Sequence, residues 1–192
     1  MKKLFSAILL IMAAMSISSC GYNSIVKMDE DTKAKWGAVQ SQYQRRADLI
    51  PNLVSTVKGV ANFEKSTLTE VAEARAKATS VQVDASKLTP ETVQKYQQAQ
   101  GELSTALGRL LSVTENYPTL RANENFTALQ GQLEGTENRI SVARMDFNSS
   151  VQAYNGKIRS FPSNLTAKMF GFTPKGYFEA EANAQKAPKV EF

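Results

Sequence analysis

The chain is predicted to be all-α, a bundle of helices, and three observations lead there. Ala, Gln, Glu, Lys, Arg and Leu, which cost little in a helix, dominate the sequence beyond about residue 20. No segment alternates apolar and polar residues over the length of a strand. Four segments instead space their apolar residues by alternating steps of three and four, which lines one face of a helix.

The N-terminal end has a different character. Lys2 and Lys3 precede residues 4–17, which are apolar apart from Ser6 and Ser16. That run has the length of a signal-peptide core and is too short to span a bilayer. It leads into Ile17-Ser18-Ser19-Cys20, small residues before a cysteine, as in the lipobox of bacterial lipoproteins. Residues 1–19 are therefore expected to be a signal peptide, and Cys20 the lipid-bearing first residue of the mature chain. Cys20 is the single cysteine of 192 residues, and it stands where lipidation needs a thiol. An exported protein has little other use for one free, oxidisable thiol. Residues 20–24 are read as a lipidated linker. Gly21 follows the cysteine where an aspartate would suggest retention at an inner membrane. The expected location is thus extracytoplasmic, on the periplasmic side of an outer membrane in a Gram-negative cell.

Residues 25–162 are expected to form the helical domain. The first helix, near residues 24–48, has the seam Ile25, Asp29, Thr32, Trp36, Val39, Tyr43, Arg46 and Ile50. The second, from near Pro51 to about residue 81, continues it with Leu53, Val57, Val60, Phe63 or Glu64, Leu68, Val71 and Ala74. Pro51 lies between them. Proline is tolerated in a first helical turn and breaks an interior one. A corner between two helices at Pro51 and one long kinked helix both fit, because the spacing keeps its phase through the proline.

Residues 82–89 read as a loop. Thr89-Pro90-Glu91 then starts the third helix with a capping hydroxyl, a proline at the first position and an acid in the first turn. Its seam is Val93, Tyr96, Gln100, Leu103, Leu107, Leu110 and Thr114, and Tyr117-Pro118 ends it. The fourth helix, about residues 122–160, is expected to be the longest. Its seam is Phe126, Leu129, Leu133, Thr136, Ile140, Ala143, Phe147, Val151, Tyr154 and Ile158, and one of its ends is expected to protrude beyond shorter partners. Residues 163–192 form a tail. It is aromatic at first and expected to fold back, then small, polar and expected to be loose from about residue 180.

Composition excludes much chemistry. The sequence has no histidine, which removes Ser-His-Asp triads, Cys-His pairs, HExxH zinc sites and the Glu-x-x-His di-iron motif. It has no glycine-rich phosphate loop and no G-x-S-x-G. The net charge of +5 comes from basic residues interleaved with acids, so a nucleic-acid partner is not expected. No cofactor is expected either.

Several stretches together identify a family. Trp36 is followed by Gln44-Arg45-Arg46-Ala47-Asp48-Leu49-Ile50-Pro51-Asn52-Leu53-Val54, then Val57-Lys58-Gly59, Glu70-Val71 and Ala74-Arg75. Glu115-Asn116-Tyr117-Pro118, Thr136-Glu137-Asn138-Arg139-Ile140, Ala143-Arg144, Tyr154-Asn155 and Phe161-Pro162 come in order behind them. The chain resembles the LemA family of bacterial envelope proteins over nearly all of its length after residue 20. The resemblance implies an antiparallel up-and-down four-helix bundle of the bromodomain-like type and a membrane-tethered N-terminus. It implies no enzymatic activity and no cofactor. Family members often stand beside membrane metalloproteases, which points to an envelope protein partner. Many members carry a longer transmembrane helix at the N-terminus, and here Cys20 stands in its place.

Arg45, Arg46, Asp48, Asn52, Glu115, Asn116, Glu137, Asn138 and Arg139 are the candidate polar network. The structural reading, helix register fixed by paired polar groups, outweighs a ligand pocket. Glu64, Glu70, Glu73 and Glu137 make a weak candidate for an oxygen-only metal site, since acids are ordinary on solvated helix faces. Trp36, Tyr43 and Tyr96 lie on seams and read as core rather than as an aromatic cage. The expected function is that of a membrane-anchored, non-enzymatic scaffold. A small-molecule-binding helical module is the alternative.

Overall fold

The computed structural model describes residues 2–59 and 64–179, with side chains from Gly21 onward except at Arg121. Among these residues all regular structure is helical: α1 (Lys2–Lys58), α2 (Lys65–Ser80), α3 (Pro90–Thr114), α4 (Pro118–Arg121), α5 (Glu124–Arg159) and α6 (Ser163–Phe170). The expected looseness beyond residue 180 lies outside the described residues.

The order of buried residues gives the helix directions. Ile25, near the described start of α1, packs with Tyr154 and Ile158 at the end of α5. Trp36 packs with Phe147, and Leu53 and Val57 share a cluster with Phe126 and Leu133. The two helices are therefore antiparallel along their shared length. So are α2 and α3, since Lys77 pairs with Glu102 and Glu70 with Arg109. The seams read from the sequence are the buried faces. Every seam residue of α3 is buried, and those of α5 are buried apart from the half-buried Leu129 and Ala143.

Of the two arrangements that fit at Pro51, the structure has the continuous one, α1 running through it to Lys58, and other expectations are corrected with it. Helix α1 is the longest helix, and residues 20–24, expected as a linker, belong to it. Because α1 is not cut short, it covers α5 from Ile158 to Phe126, and the expected protruding end does not exist. The helix survives its proline because the stranded acceptor finds another donor. Pro51 has no amide to offer the carbonyl four residues back, that of Ala47. Arg75 Nε of α2 donates to that carbonyl at 2.8 Å.

Helix α2 is short, so four helices lie side by side only in the half of the bundle that holds Leu68, Val71, Leu103 and Leu110. In the other half, the loop between α2 and α3 and the tail after α6 take the place of α2. Val83, Leu88 and Phe178 complete a cluster around Trp36, Tyr96 and Phe147. Trp36 Nε1 and Gln40 Nε2 both donate to the Val83 carbonyl. The indole stacks on Phe178 at 5.7 Å and meets Tyr96 edge-on at 5.1 Å. Each such aromatic contributes about 1.5–3 kcal/mol by burial alone. Trp36, Tyr43 and Tyr96 are thus core residues.

Helix ends follow the capping signals. Thr89 accepts from the Thr92 amide with Pro90 at the first position, and Asn123 accepts from the Asn125 and Phe126 amides at the start of α5. The short α4, not anticipated from the sequence, buries Leu120. Gly171 ends α6 with φ of 73°, a left-handed conformation that glycine adopts at little cost.

Candidate functional site

Arg46 is the one buried charged residue on the seams of α1 and α3, at 1% exposed. Its Nη1 donates to Glu137 Oε1 of α5 at 2.8 Å and to Ser104 Oγ of α3 at 2.7 Å. Its Nη2 donates to Gln100 Oε1 at 2.8 Å and to the Gln100 carbonyl at 3.1 Å. Gln100 Nε2 in turn donates to the Ala78 carbonyl at the end of α2. The guanidinium also lies 5.0 Å over the Tyr43 ring. Arg46 therefore ties α1 to α3 and α5, a task that the rigid planar fork of arginine suits, and Gln100 extends the network to α2. Burial pushes the Tyr96 hydroxyl, beside this cluster, well above its ordinary value.

Of the nine residues of the expected network, the structure joins Arg46 and Glu137. Arg45 and Asp48 are exposed on the opposite face of α1, where Gln44 Nε2 donates to Asp48 Oδ1. Asn52 is exposed, and its carbonyl accepts from Thr56. Glu115 and Asn116 form the exposed turn after α3. Asn138 and Arg139 face a shallow depression with Lys35 and Asp146. The expected network misses Gln100 and Ser104. Gln100 was visible as a polar residue on an apolar seam. The carboxylates considered for a metal site are apart from one another: Glu70 holds Arg109 and Glu137 holds Arg46. Among the described residues no three potential ligands cluster.

The second arrangement involves the tail. From Phe172 to Glu179 the chain is extended and crosses the bundle between α3 and α5. Three side-chain amides grip it as a neighbouring strand would, each giving one bond and taking one, all at 2.9 Å. Asn155 pairs with the Lys175 backbone, Asn148 with that of Phe178, and Gln97 with that of Glu179. The Gly176 amide donates to the Leu88 carbonyl. A Cβ at Gly176 would lie 2.6 Å from Pro90 Cα, so only glycine fits there. Lys175 Nζ reaches Asp29 Oδ1 of α1 at 2.8 Å, and the Tyr154 hydroxyl donates to the Thr173 carbonyl. Burial pushes that hydroxyl up to about 12. Burial also opposes ionisation of Asp29, but bonds from Lys175 and Lys33 outweigh it and hold the carboxyl below its usual value.

A groove of about 580 Å³ lies beside Glu179. Arg46, Gln97, Gln100, Ser104, Glu137 and Arg144 are among its walls. Arg46 Nε, buried against it, has no hydrogen-bond partner among the described residues.

The sequence profile of the LemA family matches residues 35–192, from the turn of α1 that carries Trp36 through the tail. The chain belongs to the LemA family. Magnetosome protein MamQ 1 of Paramagnetospirillum magneticum is 29% identical over 194 residues, which is 90% of this chain and 70% of the relative. MamQ of Magnetospirillum gryphiswaldense is 29% identical over 178 residues, 82% of this chain and 64% of the relative. Protein LemA of Metamycoplasma hominis is 22% identical over 158 residues, 82% and 68% of the two chains. None of these names designates an enzyme. In this LemA-family chain the matched region contains the Pro51 compensation by Arg75, most of the core, and the tail clamps. The first 34 residues, with Cys20, lie outside it.

Proposed function

We propose that this chain is a membrane-anchored envelope lipoprotein, held by lipid on Cys20, whose helical domain is a non-enzymatic scaffold for an envelope protein partner. The observation that carries the proposal is the continuity of α1. The helix that contains position 20 is the same helix that contributes Trp36, Arg46 and Val57 to the core. An anchor at Cys20 would therefore hold the domain close to the membrane without a flexible joint. The commitment of Arg46 and Glu137 to one another supports a structural rather than a catalytic role for the buried polar groups.

Two measurements test this. In fractionated cells, wild-type protein is expected in the extracytoplasmic membrane fraction. Cys20→Ala protein is expected to lose the diacyl modification by mass spectrometry and to leave that fraction once its leader is removed. Crosslinking in intact cells is expected to trap one recurrent envelope protein; repeated capture of none would defeat the scaffold reading.

The groove beside Arg46 favours a second reading, a small-molecule-binding module. A cleft of this size with a few convergent polar groups is what a small ligand requires. A ligand there is expected to raise the melting temperature of the wild type and not that of Gln97→Ala. A screen of carboxylate and amide compounds that never shifts the wild type would remove this reading.

A further inference from the structure

Helix α6 is inside out. It turns Ser163, Thr166 and Ala167 inward, where all three are buried. It turns its large apolar residues outward: Leu165 is 57% exposed, Met169 75% and Phe170 57%, and Phe161 just ahead of the helix is 81% exposed. Leu165 and Met169 are four residues apart in a stripe on one face of the helix, and the exposed Phe161 precedes that face and adds to the apolar surface. An amphipathic helix in water places these residues the other way round.

The position of this stripe identifies what covers it. A Cβ at Gly21 would lie 3.4 Å from Thr166 Oγ1 and 3.9 Å from Ser163 Oγ, so the inner face of α6 rests against the residue that follows Cys20. The Tyr22 ring is 4.7 Å from that of Phe170 and 5.9 Å from that of Phe172, which extends the aromatic surface onto α1. The charge around it has one sign. No acidic residue occurs between Asp146 and Glu179, whereas Lys157, Arg159 and Lys168 do. On α1 the first acid after Gly21 is Asp29, more than two turns away and held by Lys33 and Lys175.

We propose that the outward stripe of α6, with Tyr22, is a membrane-contact surface that sinks into the acyl–headgroup boundary of an anionic bilayer. Interfacial helices bury an apolar face about 5–10 Å into that boundary and set basic residues against the headgroups. The inference rests on the membrane-anchored reading above and adds a second point of attachment. Lipid at Cys20 alone would allow the domain to rotate about its tether. With α6 seated as well, the bundle has one fixed face toward the membrane.

The test uses the full chain in vesicles of phosphatidylcholine and phosphatidylglycerol whose acyl chains carry bromine, a contact quencher of tryptophan. Trp36 is 0% exposed in the core and provides an unquenched baseline. Met169→Trp and Leu165→Trp report from the stripe, and Val142→Trp reports from an exposed apolar position midway along α5. The stripe reporters are expected to lose about half or more of their added emission in brominated vesicles, as a side chain at the acyl boundary would. Val142→Trp is expected to lose none. Circular dichroism is expected to be unchanged in all three variants, because each position is exposed.

Stripe reporters quenched no more than Val142→Trp would overturn the proposal, whether or not the protein floats with the vesicles. Emission that responds to protein density and not to bromine would also overturn it, in favour of a second copy of the chain on that face. Flotation separates the two readings. Failure of wild-type protein to float tells against the Cys20 tether, whereas floating protein with unquenched reporters tells against α6 alone.

Discussion

Arg75 Nε donates to the Ala47 carbonyl at 2.8 Å, and that carbonyl is the one Pro51 leaves without a backbone donor. The two residues belong to different helices and stand 28 positions apart. Both lie in stretches by which the family is recognised, so that part of the signature has a structural explanation: the proline and the arginine depend on each other.

This dependence is measurable as a double-mutant cycle. Arg75→Met leaves a buried carbonyl unsatisfied and is expected to cost about 1–2 kcal/mol in urea unfolding. In a Pro51→Ala background the new amide of residue 51 can serve Ala47, and the same change is expected to cost less than half as much. Equal costs in both backgrounds would refute the compensation.

At Arg46 and Glu137 an asymmetry is expected. The arginine is 1% exposed and the glutamate side chain 47%. Glu137→Ala strands a buried cation without its anion, at an expected cost of about 3 kcal/mol. Arg46→Met removes the buried charge, keeps most of the volume and leaves Glu137 in water, at an expected cost of about 1 kcal/mol. Chemical denaturation of the two variants decides the order.

The tail clamps should open one at a time. Asn155→Ala removes two buried bonds to Lys175 and is expected to destabilise the protein by about 2 kcal/mol. Protease cleavage within residues 172–179 is expected to accelerate before the rest of the domain becomes susceptible. Gly176→Ala, which brings a Cβ against Pro90, is expected to lift the tail as well and to alter Trp36 emission through loss of Phe178.

Acid should weaken the same region. Asp29 is held below its ordinary value of 3.8 in the folded protein. Its contribution is therefore fully present above that pH and is lost as pH falls through the lower folded-state value. The stability difference between wild type and Asp29→Asn is expected to be largest at neutral pH and to shrink below pH 3.8. A difference that stays constant to pH 2 would show that Asp29 makes no such contribution.

Much of the fold was legible because seams are local. Steps of three and four located the buried faces of α1, α3 and α5 residue by residue, and Thr89-Pro90-Glu91 marked the start of α3. The passage through Pro51 was left open because its deciding donor lies on another helix. Arg46 could be singled out as a charge on an apolar seam, and Arg45, Asp48 and Asn52 fall off that seam on the same spacing. The clamps of Asn148, Asn155 and Gln97 could not be read this way. Each binds the backbone of a segment with no periodicity, and an exposed asparagine on a helix looks the same in sequence whether or not a strand lies against it. The orientation of α6 was hidden for a related reason: spacing reveals an apolar stripe but not which way it faces.

The position of Phe178 has a consequence for the order of folding. It closes the cluster around Trp36, yet it comes after every described helix in chain order. Until the C-terminal segment has emerged, Trp36, Tyr96 and Phe147 lack the ring that covers them, and α3 and α5 lack the strap that joins them. This part of the core therefore closes only after a residue that follows all six described helices has been made.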